Sequence, residues 1–318
     1  MIKRTLGKTG LQVSELAFGC VEIGMPYGLG ATSAAGMPDE KEAICLLQTA
    51  CEAGVNFFDT ARMYGVSEAV IGKAFKHGRH QVVIATKCRH FLQGNSVLPA
   101  YDELKKIITG SLQESMDALQ TDYVDVFMLH QADERIITDP AVCGVFDELK
   151  RRGSIRATGV STYTTGQTAL AIGTGAWDVV QVPFNLIDQR QAALFGQAQA
   201  QGTALVVRSV LLKGLLGAED IQLHPALEGV AQHIRGYKTL TCKLEMCLPA
   251  LAIRFALSYP QVASVLVGID RLSYLDAALA AAGGEYLGAD NLHEAEAMAY
   301  PDPAFIDLPA WDQKGWLR

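Results

Sequence analysis

Charge is scarce in this sequence, and basic charge is scarcer than acidic charge. Charged residues make up 19% of the 318 residues, and 27 Lys and Arg against 34 Asp and Glu leave a net charge of −7. A general nucleic-acid-binding protein needs a basic surface, so the sequence predicts no nucleic-acid partner. Hydrophobic residues reach 49%, which is enough for a large core and excludes global disorder.

Cysteine motifs, a leader segment and long apolar runs are also missing. The seven cysteines are odd in number and include no CxxC pair, so the sequence predicts neither a disulfide framework nor a metal site. The first residues lack the apolar run of a signal peptide. The longest uncharged stretch, 157–177, is too rich in Gly and Thr to predict a membrane span. Reduced thiols in a cytoplasmic protein without membrane association are the simplest interpretation.

The sequence does contain a regular alternation of strand-like and helix-like segments. The strand-like segments are short and mostly apolar, which is typical of strands buried on both faces of a parallel sheet. Eight such runs occur, at Leu16–Cys20, Val55–Asp59, Val82–Lys87, Tyr123–His130, Ile155–Ser161, Val179–Phe184, Thr203–Ser209 and Ala263–Gly268. Among the helices, the first is predicted to begin at an Asp39 cap, with Glu42 completing a capping box, and to end at Gly54. Further helices are predicted at about 102–119, 139–152, 189–200, 249–259 and 273–282.

Eight strands alternating with helices predict a (β/α)8 barrel, the TIM barrel of the α/β class. A doubly wound open sheet is the alternative. It normally has a GxGxxG turn after its first strand, whereas residues 23–30 read IGMPYGLG. We expect one domain over residues 1–318, with residues 1–14 as an N-terminal hairpin covering the bottom of the barrel and residues 285–318 as a tail over the active-site face.

Titratable residues end three consecutive predicted strands. Asp59 ends the second strand, Lys87 the third and His130 the fourth, and Tyr64 follows Asp59 by five residues. The carboxyl ends of barrel strands meet at the active-site face, so these side chains are predicted to converge there. The alternative is a structural ion pair between Asp59 and Lys87 beside a hydrogen-bonded histidine.

Several long motifs extend this pattern. The chain reads LGKTGLQVS at 6–14, GVNFFDTARMYG at 54–65 and LQTDYVD at 119–125, and the last motif is followed by Leu129 and His130. In this order the motifs resemble the signatures of the aldo-keto reductases, and the resemblance runs from residue 3 or so to about residue 284. It implies a barrel enzyme that reduces a carbonyl group or oxidises an alcohol with NAD or NADP.

The resemblance implies a catalytic tetrad of Asp59, Tyr64, Lys87 and His130. Hydride transfer to a carbonyl leaves an alkoxide that needs a proton, and Tyr64 is implied as the general acid in reduction and the general base in oxidation. We expect the Lys87 ammonium to lower the pKa of Tyr64 and Asp59 to hold Lys87. His130 would donate a hydrogen bond to the carbonyl oxygen.

The resemblance also implies residues that hold the cofactor. Ser161 and Gln181 match positions that bind the nicotinamide carboxamide, and Thr162 stands where many relatives have Asn. Arg208 replaces a stacking tyrosine, and a guanidinium can also stack on the ring or reach a phosphate. The other implied positions are at the end of the first strand and on the loop that would cross the pyrophosphate: Gly19, Cys20, Ser209, Leu211 and Lys213. Cys20 is equally well explained as a small core thiol.

The adenosine end is implied at Gly268, Asp270 and Arg271. Asp270 has the wrong sign for the 2′-phosphate of NADP, but it can accept a hydrogen bond from the free 2′-hydroxyl of NAD. Arg271 could still meet a phosphate. These residues favour NAD, or use of both cofactors, over NADP alone.

Three functions compete at this point. The first is an NAD(P)-dependent oxidoreductase acting on a small-molecule carbonyl compound or a sugar. The second is a cofactor-binding, redox-sensing subunit of another protein with little turnover. The third is Schiff-base aldol chemistry by Lys87. The sequence leaves the substrate, the reaction direction and the oligomeric state open.

Overall fold

In a computed structural model, which describes residues 1–31, 33, 36–92, 97–131, 133–217, 223–284 and 286–317, eight parallel strands close into a barrel. Two short strands precede it. The strands are β1 (Lys3–Thr5), β2 (Gln12–Ser14), β3 (Leu16–Gly19), β4 (Phe57–Asp59), β5 (Val83–Cys88), β6 (Val124–Leu129), β7 (Ile155–Ser161), β8 (Val179–Pro183), β9 (Ala204–Arg208) and β10 (Val262–Gly268). The barrel order is β10-β3-β4-β5-β6-β7-β8-β9, closed between β9 and β10. All eight predicted barrel strands and the TIM-barrel fold are confirmed, and the closed order excludes the open sheet.

Helices surround the barrel. They are α1 (Glu40–Glu52), α2 (Ser67–Phe75), α3 (Tyr101–Leu119), α4 (Glu134–Ile137), α5 (Pro140–Arg151), α6 (Thr165–Thr174), α7 (Phe195–Ala200), α8 (Glu228–Gly236), α9 (Lys238–Lys243), α10 (Leu248–Leu257), α11 (Leu272–Ala281), α12 (Ala289–Ala297) and α13 (Leu308–Gln313). The capping box of α1 forms as predicted, between Asp39 and Glu42. The single helix predicted at 189–200 was wrong in part, because its first half is a 3-10 turn at Arg190–Leu194.

The N-terminal hairpin covers the bottom of the barrel, as predicted. Strands β1 and β2 pair antiparallel, with Lys3 opposite Ser14. Leu6 and Leu11 are buried and join the apolar cluster inside the barrel. Gly7 has a φ of +53°, and a Cβ there would lie 2.5 Å from the Gly202 carbonyl oxygen. Only glycine fits this close approach.

The C-terminal tail lies against the loops at the active-site end. The Leu317 carbonyl accepts a hydrogen bond from the Gly30 amide, and Asp312 forms an ion pair with Lys213. Gly30 follows β3 and Lys213 follows β9, so the tail touches two loops of the same barrel face. Trp311 is buried and anchors the tail. Residues 285 and 318, at the ends of the predicted tail, lie outside the described residues.

Within the described part of the chain, no helix combines the length and the apolar character needed to cross a membrane.

Candidate active site

A buried ion pair lies at the mouth of the barrel. Asp59 ends β4 and Lys87 lies near the end of the adjacent β5. The Lys87 Nζ donates to Asp59 Oδ2 at 2.5 Å and to the Thr60 carbonyl at 2.9 Å. Gln181, at the end of β8, donates from Nε2 to Asp59 Oδ1 at 2.7 Å. Both carboxylate oxygens are therefore bound, which a buried charge requires.

Tyr64 lies beside this pair, on the turn between β4 and α2. The turn is held against the loop after β3, because the Val66 amide donates to the Gly24 carbonyl. A Cβ on Gly65, which has a φ of +54°, would lie 2.2 Å from that same carbonyl oxygen. The two backbones thus approach too closely for any other residue. The Lys87 Nζ is 5.0 Å from the centroid of the Tyr64 ring.

His130 completes the cluster. Its ring meets that of Tyr64 edge to face, with centroids 5.5 Å apart. Burial, with a smaller contribution from the charge of Lys87, holds the pKa of His130 well below its usual value. The imidazole is therefore neutral. Its Nδ1 is buried and has no hydrogen-bond partner among the described residues, so it is available to a bound molecule.

The expected lowering of the Tyr64 pKa by Lys87 is not found. Burial raises the pKa of the Tyr64 phenol, and the negative charge of Asp59 raises it further. Arg208 is the basic group that opposes this rise. Lys87 has its charge directed to Asp59 instead, so the ion pair presents little net positive charge to the phenol. The phenol stays protonated in this state of the site.

The predicted nicotinamide residues lie on β7 and β8. Ser161 and Gln181 are backbone partners in adjacent strands, and both are buried. The Thr162 hydroxyl bonds that of Thr168 at 2.7 Å and is fully buried. The Thr162 carbonyl accepts a hydrogen bond from Arg208 Nη2 at 2.8 Å.

Arg208 has an aromatic partner that the sequence did not indicate. Its guanidinium lies 4.5 Å from the centroid of the Tyr163 ring, and its Nη1 donates to Ser209 Oγ. Tyr163 lies just beyond the end of β7, a position that barrel geometry could have marked. The guanidinium is therefore held by one aromatic ring and by hydrogen bonds to Ser209 and Thr162.

The predicted pyrophosphate loop is held by its neighbours. Ser209 and Lys213 have positive φ values of 59° and 56°, a region that non-glycine residues rarely occupy. The Lys213 carbonyl accepts a hydrogen bond from the Leu29 amide. The Lys213 ammonium forms an ion pair with Asp312 and lies 4.9 Å from the centroid of the Tyr27 ring. Leu211 is half-buried on this loop.

The ends of β3 and β10 lie side by side. Gly19 and Gly268 are backbone partners, and Cys20 is buried with its thiol against the Phe18 carbonyl. Glu22 was not predicted as a site residue, yet its carboxyl group lies directly over Gly268. A Cβ on Gly268 would be 2.1 Å from Glu22 Oε1.

Asp270 and Arg271 bind each other. The Arg271 Nε and Nη2 donate to the two carboxylate oxygens of Asp270 at 2.9 and 3.0 Å. The one basic residue predicted at this end is therefore already paired with an acid. Among the described residues, no group of three or more His, Cys, Asp or Glu could hold a metal ion.

Comparisons with known proteins agree with the barrel fold. Residues 23–293 match the model of the aldo/keto reductase family. The holo form of an aldo-keto reductase from Bacillus halodurans superposes with a TM-score of 0.78 and 26% identity, over 95% of this chain and 99% of that one. L-galactose dehydrogenase of Arabidopsis thaliana is 28% identical over 94% of each chain. The NADH-specific methylglyoxal reductase of Escherichia coli is 27% identical over 84% of this chain and 89% of its own. The chain belongs to the aldo/keto reductase family, and this membership implies NAD(P)-dependent carbonyl reduction.

Proposed function

We propose that the protein interconverts a carbonyl group and an alcohol by hydride transfer, with Tyr64 as the general acid and base. The carbonyl belongs to an aldehyde, a ketone or a sugar hemiacetal. The observation that carries the proposal is the cluster at the barrel mouth. Tyr64 lies beside the buried pair of Lys87 and Asp59, and the Nδ1 of His130 has no partner among the described residues.

Each residue of the cluster has a separate task. In reduction, Tyr64 gives its proton to the developing alkoxide, and its raised pKa keeps that proton in place until it is needed. The neutral His130 donates a hydrogen bond to the carbonyl oxygen and orients it. Asp59, bound by Gln181, fixes the position of Lys87 beside the phenol.

The cofactor is proposed to be a nicotinamide dinucleotide, which supplies or accepts the hydride. Its nicotinamide end would be held by Ser161, Gln181 and Arg208. The rest would lie along the positions already described after β9, β3 and β10: Gly19, Cys20, Ser209, Leu211, Lys213, Gly268, Asp270 and Arg271. The pairing of Gly19 with Gly268 supports this path, because it brings the ends of β3 and β10 side by side.

NAD is the favoured dinucleotide. Asp270 binds the Nε and Nη2 edge of the Arg271 guanidinium, which offsets the positive charge that a 2′-phosphate would need. An acid here accepts a hydrogen bond from a ribose hydroxyl instead. The E. coli relative whose name specifies NADH is consistent with this preference.

The Schiff-base alternative is disfavoured by the state of Lys87. An amine attacks a carbonyl with its lone pair, and an ammonium has none. Lys87 is fully buried and donates to Asp59 and to the Thr60 carbonyl. The proposed role of Lys87 is to carry a positive charge and to keep a fixed position beside Tyr64.

The test is a turnover assay with the purified protein. Aldehydes, ketones and sugars are screened with NADH and NADPH for reduction, and with NAD and NADP for oxidation, by the absorbance of the reduced nicotinamide. We expect turnover with at least one carbonyl compound and a lower KM for the NAD pair. Tight dinucleotide binding without turnover across the panel would favour the redox-sensing subunit, and no binding of either dinucleotide would overturn the proposal.

A further inference from the structure

Glu22 occupies the space that a side chain at position 268 would fill. It follows β3 by three residues, and its carboxyl group crosses to the adjacent end of β10. A Cβ on Gly268 would meet Oε1 at 2.1 Å, the carboxyl carbon at 2.6 Å and Oε2 at 2.8 Å. The carboxyl group therefore lies against the Gly268 backbone, on the predicted path of the dinucleotide.

One oxygen of this carboxyl group is unsatisfied. Glu22 Oε2 is buried and has no hydrogen-bond partner among the described residues. Buried polar atoms in folded proteins nearly always have a partner, so an orphan at the ends of β3 and β10 points to a bound molecule.

The charges around Glu22 disfavour its ionised form. Beyond the effect of burial, the negative charge of Asp270, on the loop after β10, raises the pKa of Glu22. The charge of Glu22 in turn adds to burial in raising the pKa values of Cys20, Tyr27 and Tyr64, which are all neutral groups. The basic residues nearby have other partners, and these pairs are Lys87 with Asp59, Arg208 with Thr162 and Tyr163, Lys213 with Asp312, and Arg271 with Asp270.

We propose that Glu22 binds the diphosphate bridge of the dinucleotide as a neutral carboxylic acid, donating a hydrogen bond to a phosphate oxygen. A protonated carboxyl group has one O–H to donate, and phosphate oxygens only accept, so the two are complementary. The inference rests on the proposed function, because it requires a dinucleotide lying across the ends of β3 and β10.

The contact couples cofactor binding to a proton. Burial raises the pKa of Glu22 to about 8, and Asp270 adds to the rise. Above this pH the site must either ionise, with a carboxylate facing two phosphate charges, or retain a proton at increasing cost. Dinucleotide affinity is therefore expected to fall about tenfold between pH 7 and pH 9.

The experiment measures the Kd of NADH by calorimetry at pH 7, 8 and 9. NADH has no 2′-phosphate, so the ligand does not titrate in this range. Glu22→Gln keeps the shape and the N–H donor but cannot ionise. We expect this variant to bind NADH at pH 7 with a Kd within about threefold of the wild-type value. Its affinity should not fall between pH 7 and pH 9. Glu22→Ala removes the donor and is expected to weaken binding at pH 7 about tenfold.

The control is Glu52→Gln, which changes an exposed glutamate at the end of α1. It is expected to keep the wild-type pH dependence. If Glu22→Gln loses affinity with pH in parallel with the wild type, the inference is overturned while the proposed function stands. A loss of affinity as the pH falls would also overturn it, since that result marks an ionised carboxylate bound to a ribose hydroxyl. Absence of NADH binding by the wild type would remove the proposed function and the inference together.

Discussion

The Lys87 ammonium lies 2.5 Å from the Asp59 carboxylate, and both side chains are almost completely buried at the ends of neighbouring strands. Removing one member of a buried pair leaves the other as an uncompensated charge. We expect Lys87→Met to lower the free energy of unfolding by about 3–5 kcal/mol. We also expect it to abolish turnover or to shift the pH profile of turnover. Denaturant unfolding and a pH–rate series measure the two effects.

The double variant Lys87→Met/Asp59→Asn serves as the control for this prediction. It removes both charges, so most of the lost stability should return while activity stays low. Full activity with an unchanged pH profile in Lys87→Met would contradict the assigned role of Lys87.

The sequence predicted the barrel and the convergence of Asp59, Lys87 and His130 because both depend on local patterns. Apolar runs mark buried strands, and a polar residue at the end of such a run marks the active-site face. The bond between Gln181 and Asp59 joins residues 122 positions apart. Such contacts arise only when the barrel closes, and no spacing in the chain indicates them.

Two errors of the sequence analysis have the same origin. The pKa of Tyr64 is governed by burial, and the degree of burial of a turn residue depends on which loops fold over it. Glu22 reads as an ordinary acidic residue of a loop until the closed sheet brings it against Gly268. Sequence motifs thus located the cluster, whereas its electrostatics required the assembled fold.

Replacing Tyr64 with phenylalanine tests the proton transfer. The change removes one hydroxyl and keeps the ring that contacts His130 and Lys87. We expect kcat to fall about 10²–10⁴-fold while the Kd of the dinucleotide stays nearly the same. Steady-state kinetics and calorimetry measure the two quantities. Tyr101→Phe, at the exposed start of α3, is the matched control with normal kcat, and activity retained by Tyr64→Phe would refute the acid–base role.

Asp270→Ser tests the cofactor preference. The change releases the guanidinium of Arg271, which Asp270 holds through two hydrogen bonds. A free arginine can meet a 2′-phosphate with charge-assisted bonds, so the affinity for NADP should rise about tenfold while that for NAD changes less. Asp276→Ser, an exposed acid on α11, controls for the change in net charge. Tight NADP binding by the wild type, unchanged in Asp270→Ser, would contradict the preference.

Glu22 also predicts how stability depends on pH. Its pKa rises from 4.5 to about 8 on folding, so between these values the folded chain binds more protons than the unfolded chain. Stability therefore falls as the pH rises from 4.5 to 8 and levels off above that. Glu22→Gln lacks this titration, and its free energy of unfolding should exceed that of the wild type by an amount that grows with pH to about 2–4 kcal/mol. Denaturant unfolding at pH 5, 7 and 9 without cofactor measures the difference, and a constant difference across this range would show that the Glu22 carboxyl group ionises normally in the folded protein.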